Sequence, residues 1–152
     1  EAKWRTQHSI ERNGDLYPTH GIGPISTILN INRGNRFEYL TSNATKSRGI
    51  HNYIVKNGGA NHPNAQINFK LGDIVTSVIK CYNGETIVVS HDTSSPRPYS
   101  LNFRVQGTSG IWMGDKNSVY LEDISPEEHT WEDFDKYRAK YNKKFSRCNK
   151  QE

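Results

Sequence analysis

The stretch LGDIVTSVIKCYNGETIVVSHD, residues 71–92, decides the fold of this chain. Valine, isoleucine and threonine recur in it with a period of two, which is typical of strands that bury one face. The pair Asn83-Gly84 interrupts the pattern, and Asn-Gly between two such runs is a strong signal for a β-hairpin. The sequence therefore predicts two antiparallel strands, one on each side of this pair.

Towards the C-terminus the period-two pattern continues. In YSLNFRVQG, residues 99–107, the side chains of Leu101, Phe103 and Val105 alternate with polar ones. This alternation predicts a third strand with these three side chains directed inward. GIWMGDKNSVYLED, residues 110–123, predicts one more short hairpin.

Helices are predicted at both ends of the chain. Residues 1–12 read as a short helix that Asn13 and Gly14 end. Residues 125–141 carry acidic side chains early and basic ones late, as the helix dipole favours, and Ser125 or Thr130 would cap this helix.

A second N-terminal helix is predicted with Pro24 in its first turn. Its apolar residues recur at helical spacing, so one side of it is expected to be buried; they are Ile22, Ile25, Ile28 and Leu29. Residues 43–57 indicate a weaker helix or an irregular segment, and NGGANHPN, residues 57–64, indicates an exposed loop. Helices first, an antiparallel meander second and a final helix predict an α+β fold.

Length, charge and cysteine content indicate which functional classes fit this chain. The 152 residues fit one domain, and the formal charge of +4 comes from mixed charges with a locally basic end at residues 143–150. No nucleic-acid-binding motif accompanies that basic end, and no stretch has the length and apolar character of a membrane span. Cys81 and Cys148 suggest neither a disulfide framework nor a metal site, and no glycine-rich nucleotide loop is present.

The hexad DLYPTH, residues 15–20, is the first candidate for chemistry. Tyr17 and His20 are three residues apart, so both side chains would face one cleft if the chain coils after Pro18. Tyrosine and histidine can carry protons or bind sugar hydroxyls. Composition alone favours a structural role instead, in which Tyr17 packs in the core and His20 caps the following helix.

For the other candidate functional residues, composition alone gives less support. Tyr99 follows two prolines in HDTSSPRPYS, residues 91–100, and stiff loops beside a sheet are common binding positions. Arg5 on the first helix could hold an anion or a hydroxyl group. The remaining histidines are scattered and are expected to be surface or loop residues; they are His51, His62, His91 and His129.

Three longer stretches resemble glycoside hydrolase family 109, the NAD-dependent α-N-acetylgalactosaminidase-like branch of the Gfo/Idh/MocA oxidoreductase superfamily. They are WRTQHSIERNGDLYPTHGIGPISTILNINRGNRFEYLTS (4–42), INFKLGDIVTSVIKCYNGETIVVSHDTSSPRPYS (67–100) and VQGTSGIW (105–112). The resemblance covers residues 1–142 and implies the C-terminal substrate-binding domain of such an enzyme. Residues 143–152 depart from the family pattern as a basic tail.

The resemblance also implies roles for particular residues. The segment Tyr17, Pro18, Thr19 and His20 matches residues that contact the sugar, and Arg5 and Tyr99 match a substrate-contacting arginine and tyrosine. Tyr17 and His20 are then the acid/base candidates. The family's Rossmann domain, which binds NAD, would lie before the matching region and is missing here, so no cofactor-binding residue is expected on this chain and the chain alone is expected to be inactive.

The implied reaction differs from ordinary glycoside hydrolysis by two carboxylates. Hydride would pass from the sugar C3 to NAD, the aglycone would be eliminated, water would add, and hydride would return. Two alternatives fit the same residues: an NAD-dependent sugar or polyol oxidoreductase of the superfamily, and a non-catalytic module for carbohydrate binding or assembly. The resemblance further implies a bacterial periplasmic or secreted protein that associates with copies of itself through its sheet face.

Overall fold

The computed structural model describes residues 3–138 and residue 140 of the chain. The chain divides into two compact units, and the boundary between them lies between Arg97 and Pro98. The first unit combines helices with a three-stranded antiparallel sheet, and the second contains a four-stranded antiparallel sheet. Both sheets are open, so the architecture is α+β, as the sequence predicted.

The first unit begins with two helices and contains a sheet with the strand order β1-β2-β3. The predicted first helix and the predicted hairpin are confirmed, and Val78 of one hairpin strand lies opposite Val88 of the other. In the turn, Gly84 has a φ of 106°, a conformation that residues with a side chain rarely adopt. The elements are α1 (Lys3–Glu11), α2 (Thr19–Ile28), β1 (Phe37–Ala44), α3 (Gly49–Gly58), a 3₁₀ turn (Pro63–Gln66), β2 (Ile74–Cys81) and β3 (Thr86–Asp92).

The core of the first unit lies between α2 and the hairpin. Alternate residues of β2 are buried, which is the pattern of a sheet with one covered face. Ile79, Cys81 and Ile87 form the buried cluster, and Ile22 and Ile25 of α2 pack against it. Burial raises the pKa of the Cys81 thiol, which therefore stays protonated near neutral pH.

Pro24 lies inside α2 and not in its first turn, because the helix begins earlier than the sequence predicted, at Thr19. A proline inside a helix removes one backbone hydrogen bond and crowds the carbonyl four residues before it. Partial burial offsets this cost, since Ile22 and Ile25 pack against the hairpin at helical spacing. Ile28, expected on the same side, is instead 56% exposed.

The sequence pattern did not predict strand β1. Its residues, FEYLTSNA, are all exposed, so no alternation of apolar and polar side chains marks it. It exists because β2 offers a free edge, and Thr41 lies opposite Val78 in the antiparallel register. Residues 43–57, expected to be a weak helix or irregular, therefore contain the end of this strand and most of α3.

Helix α3 begins where the side chain of Asp73, which lies just before β2, satisfies its first backbone donors. The N–H groups of Arg48 and Gly49 donate to the carboxylate of Asp73 over 2.7–3.1 Å. A carboxylate at a helix N-terminus also interacts favourably with the helix dipole. The exposed loop predicted over residues 57–64 is shorter than expected, because α3 reaches Gly58 and the 3₁₀ turn begins at Pro63.

The second unit is a meander in which each strand pairs with the next. The hairpin predicted over residues 110–123 is confirmed, and Trp112 lies opposite Val119 in it. Trp112 also packs edge-on against Phe134, with ring centroids 6.1 Å apart. The strands are β4 (Arg104–Gly107), β5 (Gly110–Met113), β6 (Ser118–Leu121) and β7 (Glu132–Asp133).

Two expectations for this unit were wrong. The third strand begins at Arg104 and not near residue 99, because Asn102 has a φ of 48°, which is incompatible with an extended strand, and Leu101 is exposed. The last helical segment starts at residue 135, and Asp133 accepts a hydrogen bond from the Asp135 N–H at 2.9 Å. Its capping side chain is therefore Asp133, not Ser125 or Thr130.

Candidate functional site

The hexad 15–20 is held in place by Asp15, which makes two contacts with one carboxylate oxygen. This oxygen accepts a hydrogen bond from the Tyr17 N–H at 2.8 Å and lies 3.0 Å from Nδ1 of His91 on β3. The side chains of Asp15 and His91 are only 12% and 10% exposed. The turn that carries Tyr17 is therefore anchored directly to the sheet.

Pro18 and the start of α2 set the spacing between Tyr17 and His20. Pro18 has helical backbone angles, and its carbonyl accepts hydrogen bonds from the N–H groups of Gly21 and Ile22 at 3.1 and 2.9 Å. His20 consequently lies in the first turn of the helix. The two rings meet edge to face, with centroids 4.8 Å apart and planes at 77°.

Arg5 of α1 lies beside Tyr17. Its guanidinium carbon lies 5.1 Å from the ring centroid of Trp4 and 5.9 Å from that of Tyr17, distances at which a cation interacts with an aromatic face. We refer to Trp4, Arg5, Tyr17 and His20 as the aromatic cluster.

The aromatic cluster is open to solvent and leaves its polar groups available. Trp4 and Tyr17 are 58% and 53% exposed, and Arg5 and His20 are also exposed. Within residues 3–138 and 140, no hydrogen bond or ion pair engages the Arg5 guanidinium, the Tyr17 hydroxyl or the His20 ring. The cluster therefore presents apolar ring faces together with donors and a possible proton carrier.

The purely structural interpretation of the hexad was wrong on both counts. Tyr17 does not pack in the core, and His20 does not cap α2, whose first turn receives no side-chain hydrogen bond. Thr19 is exposed beside His20, and Pro18 is half-buried.

Tyr99 is placed in the second unit, where it is 87% exposed. The structure therefore brings Arg5, Tyr17 and His20 together within one unit, and the grouping of Tyr99 with them stays a prediction.

Two contributors to this site were missed in the sequence. Trp4 was not singled out in the sequence, although a tryptophan next to the candidate Arg5 is a usable signal. His91, expected to be a surface or loop residue, lies instead on β3 as a half-buried partner of Asp15. No local pattern could have revealed that pair, because its members are far apart in the sequence.

The described residues do not fit a dinucleotide. A pyrophosphate binds at a helix N-terminus that follows a strand and offers free backbone N–H groups. The helix that follows β1 is α3, and its N–H groups at Arg48 and Gly49 already bind the Asp73 carboxylate, whose charge would repel a phosphate.

The described residues also bear on a metal site and on a membrane-spanning helix. No three histidine, cysteine, aspartate or glutamate side chains gather to hold a metal ion in the part of the chain that the structure describes. Among these same residues, no helix combines the length and the apolar character that crossing a membrane requires.

Comparison with known proteins identifies the family of this chain. The sequence model described as "Glycosyl hydrolase 109, C-terminal domain" matches residues 1–152. The chain belongs to the glycosyl hydrolase 109 family. An α-N-acetylgalactosaminidase from Tannerella forsythia is 64% identical over 144 residues, which are 95% of this chain.

Two further glycosyl hydrolase family 109 proteins are similar over most of this chain. The protein from Parabacteroides distasonis is 62% identical over 95% of the chain, and the one from Stenotrophomonas maltophilia is 58% identical over 93%. The chain spans about a third (31%) of the length of each of these three relatives. It therefore corresponds to the C-terminal domain of a glycosyl hydrolase 109 protein.

Proposed function

We propose that this chain is the sugar-binding part of an NAD-dependent α-N-acetylgalactosaminidase. The observation that carries the proposal is the exposed aromatic cluster, in which a guanidinium, a phenol and an imidazole lie together without competing partners among the described residues. Its similarity to the Tannerella forsythia α-N-acetylgalactosaminidase supports the choice of substrate.

The cluster suits a neutral sugar with an acetamido group. The guanidinium of Arg5 carries five N–H donors, which can bind the acetamido carbonyl or ring hydroxyls. The faces of Trp4 and Tyr17 offer apolar surface to the C–H side of a sugar ring. Tyr99, which is 87% exposed, stays a proposed sugar contact on the strength of the family resemblance.

Tyr17 and His20 are the groups that would move a proton to or from the sugar. Both are exposed residues, and their rings meet edge to face. The Asp15 carboxylate holds the backbone of Tyr17, so the phenol is positioned before substrate arrives.

NAD, when bound, would supply reversible oxidation of the sugar. The family resemblance implies a Rossmann domain for NAD, and we expect the residues that hold NAD to belong to that domain. The role of this chain would be to bind, orient and exchange protons with the sugar.

The test is a chimera in which this chain replaces the matching segment of the Tannerella forsythia α-N-acetylgalactosaminidase. His20→Ala should lower kcat for an α-N-acetylgalactosaminide by about 10², because loss of a general acid or base typically costs this much. Tyr17→Phe, which keeps the ring, separates the loss of the phenol proton from the loss of packing. His51→Ala is the matched control, since His51 is exposed on α3 outside the cluster.

A near-normal kcat for both His20→Ala and Tyr17→Phe would contradict the assigned roles. The same chimera also tests the oxidoreductase alternative. Hydrolysis with recycled NAD releases the sugar without net NADH, whereas NADH that accumulates in proportion to a free sugar substrate would contradict the glycosidase.

A further inference from the structure

The second unit contains a cavity of its own, with a volume of about 340 Å³. It lies against strands β4, β5 and β6 and the segment that precedes β7, and this volume falls within the range of small-molecule sites. The side chains that matter for its chemistry are Gln106, Thr108, Tyr120, Glu122, His129 and Trp131.

Aromatic side chains form one part of the wall. The rings of Tyr120 and His129 stack with centroids 6.1 Å apart and planes at 26°, and Trp131 is 41% exposed. His129 has a φ of 56°, an uncommon conformation for a residue with a side chain. The chain thus holds three rings around a space that remains open to a ligand.

Hydrogen-bonding groups form another part of the wall and are already oriented. The Tyr120 hydroxyl donates to Oε2 of Glu122 at 2.8 Å, and this hydrogen bond raises the pKa of Tyr120. Oε1 of Gln106 accepts a hydrogen bond from Arg104 at 2.6 Å, which leaves the amide nitrogen of Gln106 as a donor. The cavity therefore offers both a carboxylate acceptor and an amide donor.

The charges of the lining select the class of ligand. Among the residues that the structure describes, no lysine or arginine lines this cavity and Glu122 is the one carboxylate, so these residues would repel an anion. A cation would find a single carboxylate, one oxygen of which already binds Tyr120. A wholly apolar ligand would remove water from Glu122 and Gln106 without replacing its hydrogen bonds, which is unfavourable.

We propose that this cavity is a binding site for a neutral pyranose sugar. One face of the sugar ring would pack on Trp131, while ring hydroxyls donate to Glu122 and accept from Gln106. The inference rests on the proposed function only for the choice of N-acetylgalactosamine as the probe, since the lining itself selects a polyhydroxylated ring.

The three tryptophans of the chain allow a direct test by NMR on the 152-residue protein. The indole N–H of Trp131 reports the cavity, that of Trp112 reports the packing of the second unit, and that of Trp4 reports the aromatic cluster. Each signal is assigned with a Trp→Phe variant. Titration with N-acetylgalactosamine should shift the Trp131 signal in a saturable way and leave the Trp112 signal in place.

Substitution of the carboxylate tests the proposed contact. Glu122→Gln should weaken binding at the Trp131 signal about fivefold, because hydrogen bonds to a charged group are stronger than those to a neutral one. Glu127→Gln, an exposed position of the same unit that does not line this cavity, should leave binding unchanged. An unchanged Trp112 signal in Glu122→Gln shows that the variant is folded.

Several outcomes would overturn the inference. The first is a Trp131 signal that does not shift when N-acetylgalactosamine is added. The second is sugar binding that Glu122→Gln does not weaken. The third is tighter binding of tetramethylammonium or inorganic phosphate than of the sugar at Trp131. A saturable shift at Trp4 with none at Trp131 would overturn this inference and leave the proposed function standing. The reverse pattern would support the cavity and count against the aromatic cluster.

Discussion

Asp15 links the candidate site to the fold through a single side chain. It accepts the Tyr17 N–H and approaches His91 at 3.0 Å in a largely buried position. A buried polar group that loses its partner costs more than the hydrogen bond itself contributes, because its desolvation is then uncompensated. The position of Tyr17 therefore depends on a residue that never needs to touch the sugar.

Asp15→Ala should lower the free energy of unfolding by about 1–3 kcal/mol, because it leaves His91 without its partner and frees the Tyr17 N–H. Urea unfolding measures this change, and the sugar-induced shift at Trp4 measures the effect on the aromatic cluster. Asp15→Asn retains an oxygen acceptor and should restore part of both quantities. Equal stability of Asp15→Ala and the unchanged protein would show that the contact with His91 contributes nothing.

Gly72 is required by close packing of the backbone. Its N–H donates to the Asn13 side chain at 3.0 Å, and a Cβ at this position would overlap the backbone oxygen of Thr45. Gly72→Ala should therefore destabilise the protein by about 1–3 kcal/mol, as overpacking does.

Gly23→Ala is the matched control for this prediction. A Cβ at Gly23 meets no atom within 4 Å, and the residue lies inside α2. Alanine there should raise the free energy of unfolding by about 0.5–1 kcal/mol, because glycine is a poor helix residue. If thermal unfolding shows that Gly72→Ala and Gly23→Ala change the free energy of unfolding in the same direction, the steric argument for Gly72 fails.

At the scale of elements, the three-stranded sheet uses its two faces differently. One face of the hairpin packs on α2, while Val88 on the other face is 64% exposed and lies opposite Val78. Exposed apolar residues on a sheet are a common basis for association. Self-association through this face, which the family resemblance implies, stays a prediction.

Helix α3 depends on Asp73, which lies just before β2. Asp73→Ala removes the acceptor of the Arg48 and Gly49 N–H groups and should cost about 1 kcal/mol, as loss of an N-terminal cap typically does. Hydrogen exchange should accelerate at these two amides and through the first turn of α3. Asp73→Asn, which keeps one acceptor oxygen, should have a smaller effect, and equal exchange rates in all three proteins would contradict the assignment.

At the scale of the whole molecule, the chain contains two compact units, each with its own sheet. The first has a buried cluster under α2, and the second is held by short strands and by contacts such as Trp112 with Phe134. The aromatic cluster belongs to the first unit and the proposed sugar cavity to the second.

The second unit should become less stable in acid because of Glu132. Hydrogen bonds from Ser125 and Tyr137, with a contribution from Lys136, lower the pKa of this carboxyl. A lowered pKa in the folded state means that the stabilisation is present above the unfolded pKa of about 4.3 and is lost as pH falls through the folded value. Thermal unfolding followed at the Trp112 indole between pH 6 and pH 3 measures this loss.

Glu132→Gln is the control for the acid prediction, because it removes the titrating group and keeps the shape. Its stability should depend less on pH over the same interval than that of the unchanged protein. Identical pH profiles would show that Glu132 does not control the acid response.

The parts of the fold that the sequence predicted are those with a strong local pattern. The hairpin 71–92 and α1 were found because periodicity and turn residues lie within a few positions of each other. Strand β1 was missed because an exposed edge strand carries no alternation, and the start of the last helical segment was misplaced because several residues there could cap it. Pairing with the distant strand β2 decided the first, and the choice among neighbouring capping side chains decided the second.

The sequence by itself determined the α+β class, the central hairpin and the residue types of the hexad, and it carried the resemblance to family 109. Only the tertiary structure decided that Arg5 and Trp4 join Tyr17, that Asp15 pairs with His91, and that Tyr120, Glu122 and Trp131 line one cavity. Periodicity is a property of neighbouring residues and is visible in any sequence. Which distant side chains meet, and which remain exposed, depends on packing of the helices and strands against one another.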